Sequence, residues 1–128
     1  MEECYDKDGN IIGILIRNRC RGYNGDIEYL AGISVEPTPR ILNLRILSHR
    51  ETPGLGAKVA SEKFLEQFKL KTAQEVALKK DSPQGKIDTI TGATVTSRAI
   101  TKSVKALLEE EAILDYVKRL AKGQKKKR

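Results

Sequence analysis

From Asp88 to Ser97 the chain reads Asp-Thr-Ile-Thr-Gly-Ala-Thr-Val-Thr-Ser, which groups hydroxyl side chains around Gly92 and Ala93. Beyond it Ala99, Ile100, Val104, Leu107, Leu108, Leu114, Val117 and Leu120 recur mostly three and four apart, which predicts an amphipathic helix from about Ser97 to Lys122 that Gly123 stops. Backbone N–H groups left open at a helix start, with the positive end of the helix dipole, favour an anion there, and small residues let it approach the backbone. The same string also suits an ordinary helix start with Thr96 or Ser97 as N-cap, so pattern alone leaves a phosphate site and a plain cap both open. A threonine hydroxyl is weakly nucleophilic, and no Ser–His–Asp arrangement lies nearby in sequence to activate one, so covalent chemistry here would need a separate enzyme.

A second segment, Ser48-His49-Arg50-Glu51-Thr52-Pro53-Gly54-Leu55-Gly56, carries the other concentration of glycines and polar groups. Glu51 and Thr52 can offer hydrogen bonds to a ligand, or Thr52 can simply fix the loop backbone before Pro53, while Gly54 and Gly56 keep bulk off the backbone. With His49 as the single histidine, only Cys4 and Cys20 as cysteines and no CxxC, no zinc or iron–sulfur ligand set is evident. Redox chemistry would have to come from an organic cofactor. No strand–GxGxxG–helix unit is present for a dinucleotide.

Together the two segments resemble FMN-binding domains of RnfG- and NqrC-type subunits of ion-translocating electron-transport complexes, RnfG more closely. Thr91-Gly92-Ala93-Thr94 preceded by Asp88 is similar to their Asp-x-x-Ser/Thr-Gly-Ala-Thr signature, and 48–56 to their Ser-His-x-Glu-Thr-Pro-Gly-Leu-Gly loop. The resemblance spans roughly Tyr5 to Leu120. It implies FMN joined to Thr94 through a phosphoester, with Thr91, Gly92, Ala93, Val95 and Thr96 on the phosphate side and Glu51, Thr52, Gly54, Leu55 and Gly56 along the flavin. It also implies an ApbE-type flavin transferase as partner, which reads Asp88, Gly92, Ala93 and Thr94. Asp88 serves either that recognition or the end of a strand, and His49 reads as structural. The implied role is an electron carrier with little activity alone, among other subunits of a complex at the cell membrane. By the same resemblance the domain sits on the extracytoplasmic face, with an N-terminal membrane anchor upstream of residue 1. Two rival readings stay in view: a module that binds FMN or another phosphate ligand non-covalently, and a basic protein that binds anionic lipid or nucleic acid through its C-terminal tail.

Asp8-Gly9-Asn10 between Cys4-Tyr5 and the apolar run from Ile11 predicts a hairpin, and Ile11–Arg17, Ile27–Val35 and Ile41–Leu47 read as strands of a meander. Ser61 can cap a short helix through Phe64, Leu65 and Phe68, while 76–80 and 86–90 flank Ser82-Pro83-Gln84-Gly85 and read as a second hairpin. The expected fold class is α+β: an antiparallel sheet with a short middle helix and a long C-terminal helix packed on it.

At 128 residues the chain suits one small domain, expected over 1–121, followed by a basic, disordered tail at 122–128. Of the net charge of +7, Lys122, Lys125, Lys126, Lys127 and Arg128 contribute +5. With four Tyr, two Phe and no Trp there is little to stack on bases, so no nucleic-acid partner is expected. No apolar run is long enough to span a membrane. Cys4 and Cys20 fall on neighbouring elements, where pairing is geometrically conceivable and two free thiols equally so.

Overall fold

A computed structural model describes residues 2–51, 53–54 and 56–126, with side chains described through residue 122. Strands β1 (Glu2–Tyr5), β2 (Ile11–Arg21), β3 (Asp26–Ser34) and β4 (Ile41–Ser48) form an antiparallel meander in the order β1-β2-β3-β4. Each connection has a local cause. The Asp6 carboxylate accepts the N–H groups of Asp8 and Asn10, both at 2.9 Å, which closes the first turn. Gly22 donates to the Gly25 carbonyl at 2.7 Å in the second. In the third, Ser34 and Arg40 bracket the proline-rich turn, and the Arg40 N–H donates to the Ser34 hydroxyl at 2.9 Å.

Register sorts the side chains onto two faces. Ile14, Ile33 and Ile41 form one cross-strand row, and Ile16, Ala31 and Leu44 the next, all buried. The helices cover this face. After β4 a 3₁₀ turn (Gly56–Ala60) leads to α1 (Glu62–Leu65), capped by the Ser61 hydroxyl as expected and continued by a second 3₁₀ turn (Glu66–Phe68). Phe64 and Phe68 meet edge to face at 5.5 Å within the core.

The long C-terminal helix is two helices, α2 (Thr94–Glu109) and α3 (Glu111–Lys126). Glu110 is extended (ψ 123°) between them. The apolar spacing carries the reason: the buried positions Leu107 and Leu108 are followed by Ile113 and Val117, and the five-residue step from 108 to 113 breaks the stripe. Ile113 takes the core position expected of Leu114, and α3 continues past Gly123. The expected second hairpin also does not form. Segments 76–80 and 86–90 share one isolated, parallel bridge, Leu78 to Ile87. Both must bury apolar side chains in one floor, since Val76, Leu78 and Ile87 are all within 1% of full burial, and Gly85 lies against the Ala77 and Leu78 carbonyls. That wrapped path leaves no room for a ladder. Cys4 faces Gly13 and Cys20 faces Ile27, seven residues further along β2, so the two remain free thiols.

Candidate functional site

Helix α2 starts at Thr94, earlier than either expected cap, with Ala93 as N-cap and no side chain capping it. The first intrahelical bond runs from the Ser97 N–H to the Ala93 carbonyl at 3.0 Å. The N–H groups of Thr94, Val95 and Thr96 therefore have no acceptor among the described residues. Gly92, at φ +83°, takes the left-handed conformation that swings the chain into this helix.

The hydroxyls of the segment divide sharply. Ser97 is fully buried, donates to the Ala93 carbonyl at 2.8 Å and accepts the Ile90 N–H at 3.2 Å, which ties the glycine turn to the first turn of the helix. Thr101 is buried and donates to the Ser97 carbonyl at 2.7 Å. Thr96 is buried and donates to the Glu51 carboxylate at 2.6 Å. The Thr94 hydroxyl has no partner among the described residues and sits half-buried at the helix start, while Thr91, Gly92 and Val95 are exposed around it.

Glu51 joins the two sequence segments. The residue is 5% exposed, and its carboxylate accepts the N–H groups of Tyr23 at 2.7 Å and Asn24 at 2.8 Å besides the Thr96 hydroxyl. Burial works against the charged form, but the bonds from Thr96, Asn24 and Tyr23, with His49 nearby, outweigh it and hold the carboxyl below the usual glutamate range. The Glu51 N–H donates to His49 Nδ1 at 3.2 Å, which leaves the ring proton on Nε2 in the neutral form. Glu51 is thus a tie between the β2–β3 turn, the loop after β4 and α2. Gly22 makes room for it: a Cβ there would come 2.6 Å from Glu51 Oε1.

Of the remaining loop residues, Gly54 is exposed and Gly56 is buried at the head of the 3₁₀ turn that carries Val59 into the core. Thr52 and Leu55 lie outside the described residues. Asp88 projects its carboxylate into solvent, paired with Lys79 at 3.0 Å, while its N–H donates to the Gln67 side chain at 2.7 Å. A groove of about 550 Å³ runs between α1 and residues 88–90, with Phe64 and Ile90 among its lining and Asp88 on its rim.

Sequence reasoning missed Ser97 as the latch of the glycine turn and the Tyr23–Asn24 amides as the seat of Glu51. A serine four residues after Ala93 was a readable signal for the first. The second has none, because the donors are backbone groups. Among the described residues no group of three or more His, Cys, Asp and Glu could hold a metal, and no helix is long and apolar enough to cross a membrane.

Comparisons with known proteins agree on a family. A family model described as an FMN-binding domain matches residues 22–109. The G-type subunit of the proton-translocating ferredoxin:NAD(+) oxidoreductase complex of Clostridium ljungdahlii is 40% identical over 81% of this chain and 56% of its own. Its counterpart in the Na(+)-translocating ferredoxin:NAD(+) oxidoreductase complex of Acetobacterium woodii is 36% identical over 80% of this chain and 50% of its own. The chain thus spans about half the length of these relatives. The crystal structure of Shewanella oneidensis NqrC matches with a TM-score of 0.74 at 19% identity, over 93% of this chain and 59% of that one, a likeness of fold.

Proposed function

The chain belongs to the FMN-binding domain family, and from that membership we propose that it is an electron-carrier domain holding FMN through a phosphoester on the Thr94 hydroxyl. The observation that carries the choice of Thr94 is the division of hydroxyls: Thr96, Ser97 and Thr101 are buried and bonded, and Thr94 is accessible beside three open N–H groups. A phosphate suits this position, because those N–H groups and the helix dipole favour its anionic oxygens. Bound FMN would supply the electron-accepting chemistry of its isoalloxazine ring.

The chain's own residues position and shield. The Thr94 oxygen anchors the phosphate, and Val95, 52% exposed, offers apolar surface beside it. Glu51 holds the helix start against the 22–25 turn, so the anchor keeps a fixed distance from the end of β4, beyond which a bound ring would lie. The family resemblance assigns Thr52, Gly54, Leu55 and Gly56 to the ring side, and Thr91, Gly92 and Ala93 to the phosphate side. The exposed Asp88 carboxylate serves recognition by an ApbE-type flavin transferase, since Thr94 has no base of its own. Proteins named for ion-translocating oxidoreductase complexes are the relatives; in such a complex this domain relays electrons between neighbouring centres, on the extracytoplasmic face of the membrane.

The test is co-expression with an ApbE-type transferase followed by intact-mass measurement under denaturing conditions. The added mass should be FMN less one water, mapped to the peptide holding Thr94, and absent from Thr94→Ala. Flavin that leaves on unfolding would replace this reading with non-covalent binding, and flavin on Thr91 would move the anchor.

A further inference from the structure

The sheet face turned away from α2 and α3 carries no covering element among the described residues, and it is rich in arginine. Arg17, Arg19 and Arg21 alternate along β2, and period two places all three on this face. Register extends the pattern: Arg17, Leu30 and Arg45 form one cross-strand row. At the end of the face a cleft of about 570 Å³ opens between the β2–β3 turn and the segment after β4, lined by Arg19, Arg21, Asn24, Ser48, His49 and Arg50 among others. The Arg50 stem lies over Gly25, where a Cβ would be 3.4 Å from Arg50 Cδ.

Arginine outnumbers acid here: Arg19, Arg21 and Arg50 line the cleft against Asp26 and Glu28. Glu28 is paired with both Arg17 and Arg19, the latter at 3.2 Å. Asp26 stands opposite Arg21 in the β2–β3 register without forming an ion pair among the described residues, and Glu2 lies at the far end of the face. Among the described residues neither Arg21 nor Arg50 makes an ion pair. We propose that this face docks a protein partner with an acidic surface, whose projecting carboxylates enter the cleft between Arg21 and Arg50.

Charge complementarity names the partner's chemistry, and shape favours a protein over a lipid surface. Guanidinium groups receive carboxylates in a planar, two-point fashion, and the cationic side chains in these rows are arginine and not lysine. A concave cleft accepts a projecting side chain, which a flat bilayer does not present. The cleft also adjoins the candidate cofactor loop: His49 and Arg50 line it, and the next residue, Glu51, bonds Thr96 at the start of α2. A partner seated here is close to the proposed flavin position. That the partner gives or takes electrons rests on the carrier reading; that it is acidic and docks on this face does not.

The test uses the full chain without flavin, so its failure is distinct from failure of flavin attachment. A fluorescent oligoglutamate peptide is titrated by anisotropy, with ¹⁵N amide shifts to locate it. Arg21→Gln/Arg50→Gln should weaken binding about tenfold, as loss of two close charge pairs does, while the equally charge-depleted Lys7→Gln/Lys86→Gln should change it by less than about twofold. Shifts should gather at 19–26 and 48–50. Arg21→Lys/Arg50→Lys, which keeps the charge, should fall between, and gives a reading should the glutamine pair fail to fold. Equal losses in the arginine and lysine pairs, or shifts gathered at the C-terminal lysines, would overturn the proposal. So would arginine-dependent binding of phosphatidylglycerol vesicles, or of inorganic phosphate, without binding of the peptide.

Discussion

Thr96 and Glu51, 45 residues apart in sequence, meet in a buried hydrogen bond of 2.6 Å, and through it the glycine turn at 91–93 is fixed to the loop after β4. Both are expected near the cofactor. The structure also gives each a partner in the protein, and so makes the spacing between the two segments a property of the fold.

Removing the hydroxyl while keeping the shape should therefore cost stability before it costs chemistry. Thr96→Val leaves Glu51 Oε1 one donor short and should destabilise the domain by about 1.5–3 kcal/mol, the range for a bond to a charged group. Thr96→Ser should restore most of it. Urea unfolding of the three proteins gives the comparison, and equal midpoints for wild type and valine would remove the tie.

The Glu51 carboxylate also sets a pH dependence. Its pKa is lowered in the folded state, burial being outweighed by the bonds from Thr96, Asn24 and Tyr23. A depressed carboxyl contributes stability that is present above its unfolded value, about 4.3, and is lost as pH falls through the folded value. Wild-type Tm should decline on acidification below about pH 4.3, and Glu51→Gln should be less stable at neutral pH with a shallower decline. A decline of the same depth in the glutamine variant would assign the acid sensitivity to other carboxylates.

Gly22 is the steric condition for that carboxylate. A Cβ there would lie 2.6 Å from both Glu51 Oε1 and Ile27 Cδ1, so Gly22→Ala should destabilise by about 1–3 kcal/mol, as overpacking does. In the Glu51→Ala background the penalty should shrink, because one of the two obstacles is gone. A double-mutant cycle measures this, and additive losses would mean that Ile27 alone is the obstacle.

The meander was legible because its strands are β-rich runs and each turn carries its own residues, such as Asp8-Gly9-Asn10 or the prolines after Ser34. The candidate site was legible at the Gly92 turn, which local backbone chemistry decides, while α2 begins at Thr94, three residues before the expected Ser97. The site was not legible where a distant backbone decides it. Nothing in the 48–56 segment says that Glu51 meets the amides of Tyr23 and Asn24, 28 and 27 residues away. The break at Glu110 was hidden for a related reason: Ile113 and Leu114 are both apolar, and only packing against the sheet chooses Ile113.

That choice makes α3 part of the fold. Ile113 is 5% and Val117 1% exposed, and burying each side chain contributes about 1.5–3 kcal/mol. Ending the chain after Glu110 should leave a protein that unfolds at much lower temperature or is recovered aggregated. Ending it after Lys122 keeps both residues and should leave Tm within a few degrees of wild type. Similar Tm for both truncations would mean that α3 is a passive appendage.

The turn that presents Thr94 supplies the sharpest separation between anchor and support. Ser97 holds Ile90 and Ala93 through one hydroxyl, so Ser97→Ala should loosen the turn, lower the Tm and reduce the fraction of chain that acquires flavin without moving the attachment point. Thr94→Ser keeps the oxygen and should still be labelled, more slowly, whereas Thr91→Ala alters an exposed side chain outside the helix and should label nearly as wild type. These expectations are read from labelling time courses with purified transferase and FAD, followed by peptide mapping. Support residues change the rate, and only the anchor changes the site. Complete loss of labelling in Ser97→Ala at a temperature where it is fully folded would make Ser97 part of the attachment chemistry, and flavin relocated in Thr94→Ser would show that the hydroxyl position is not set by the helix start.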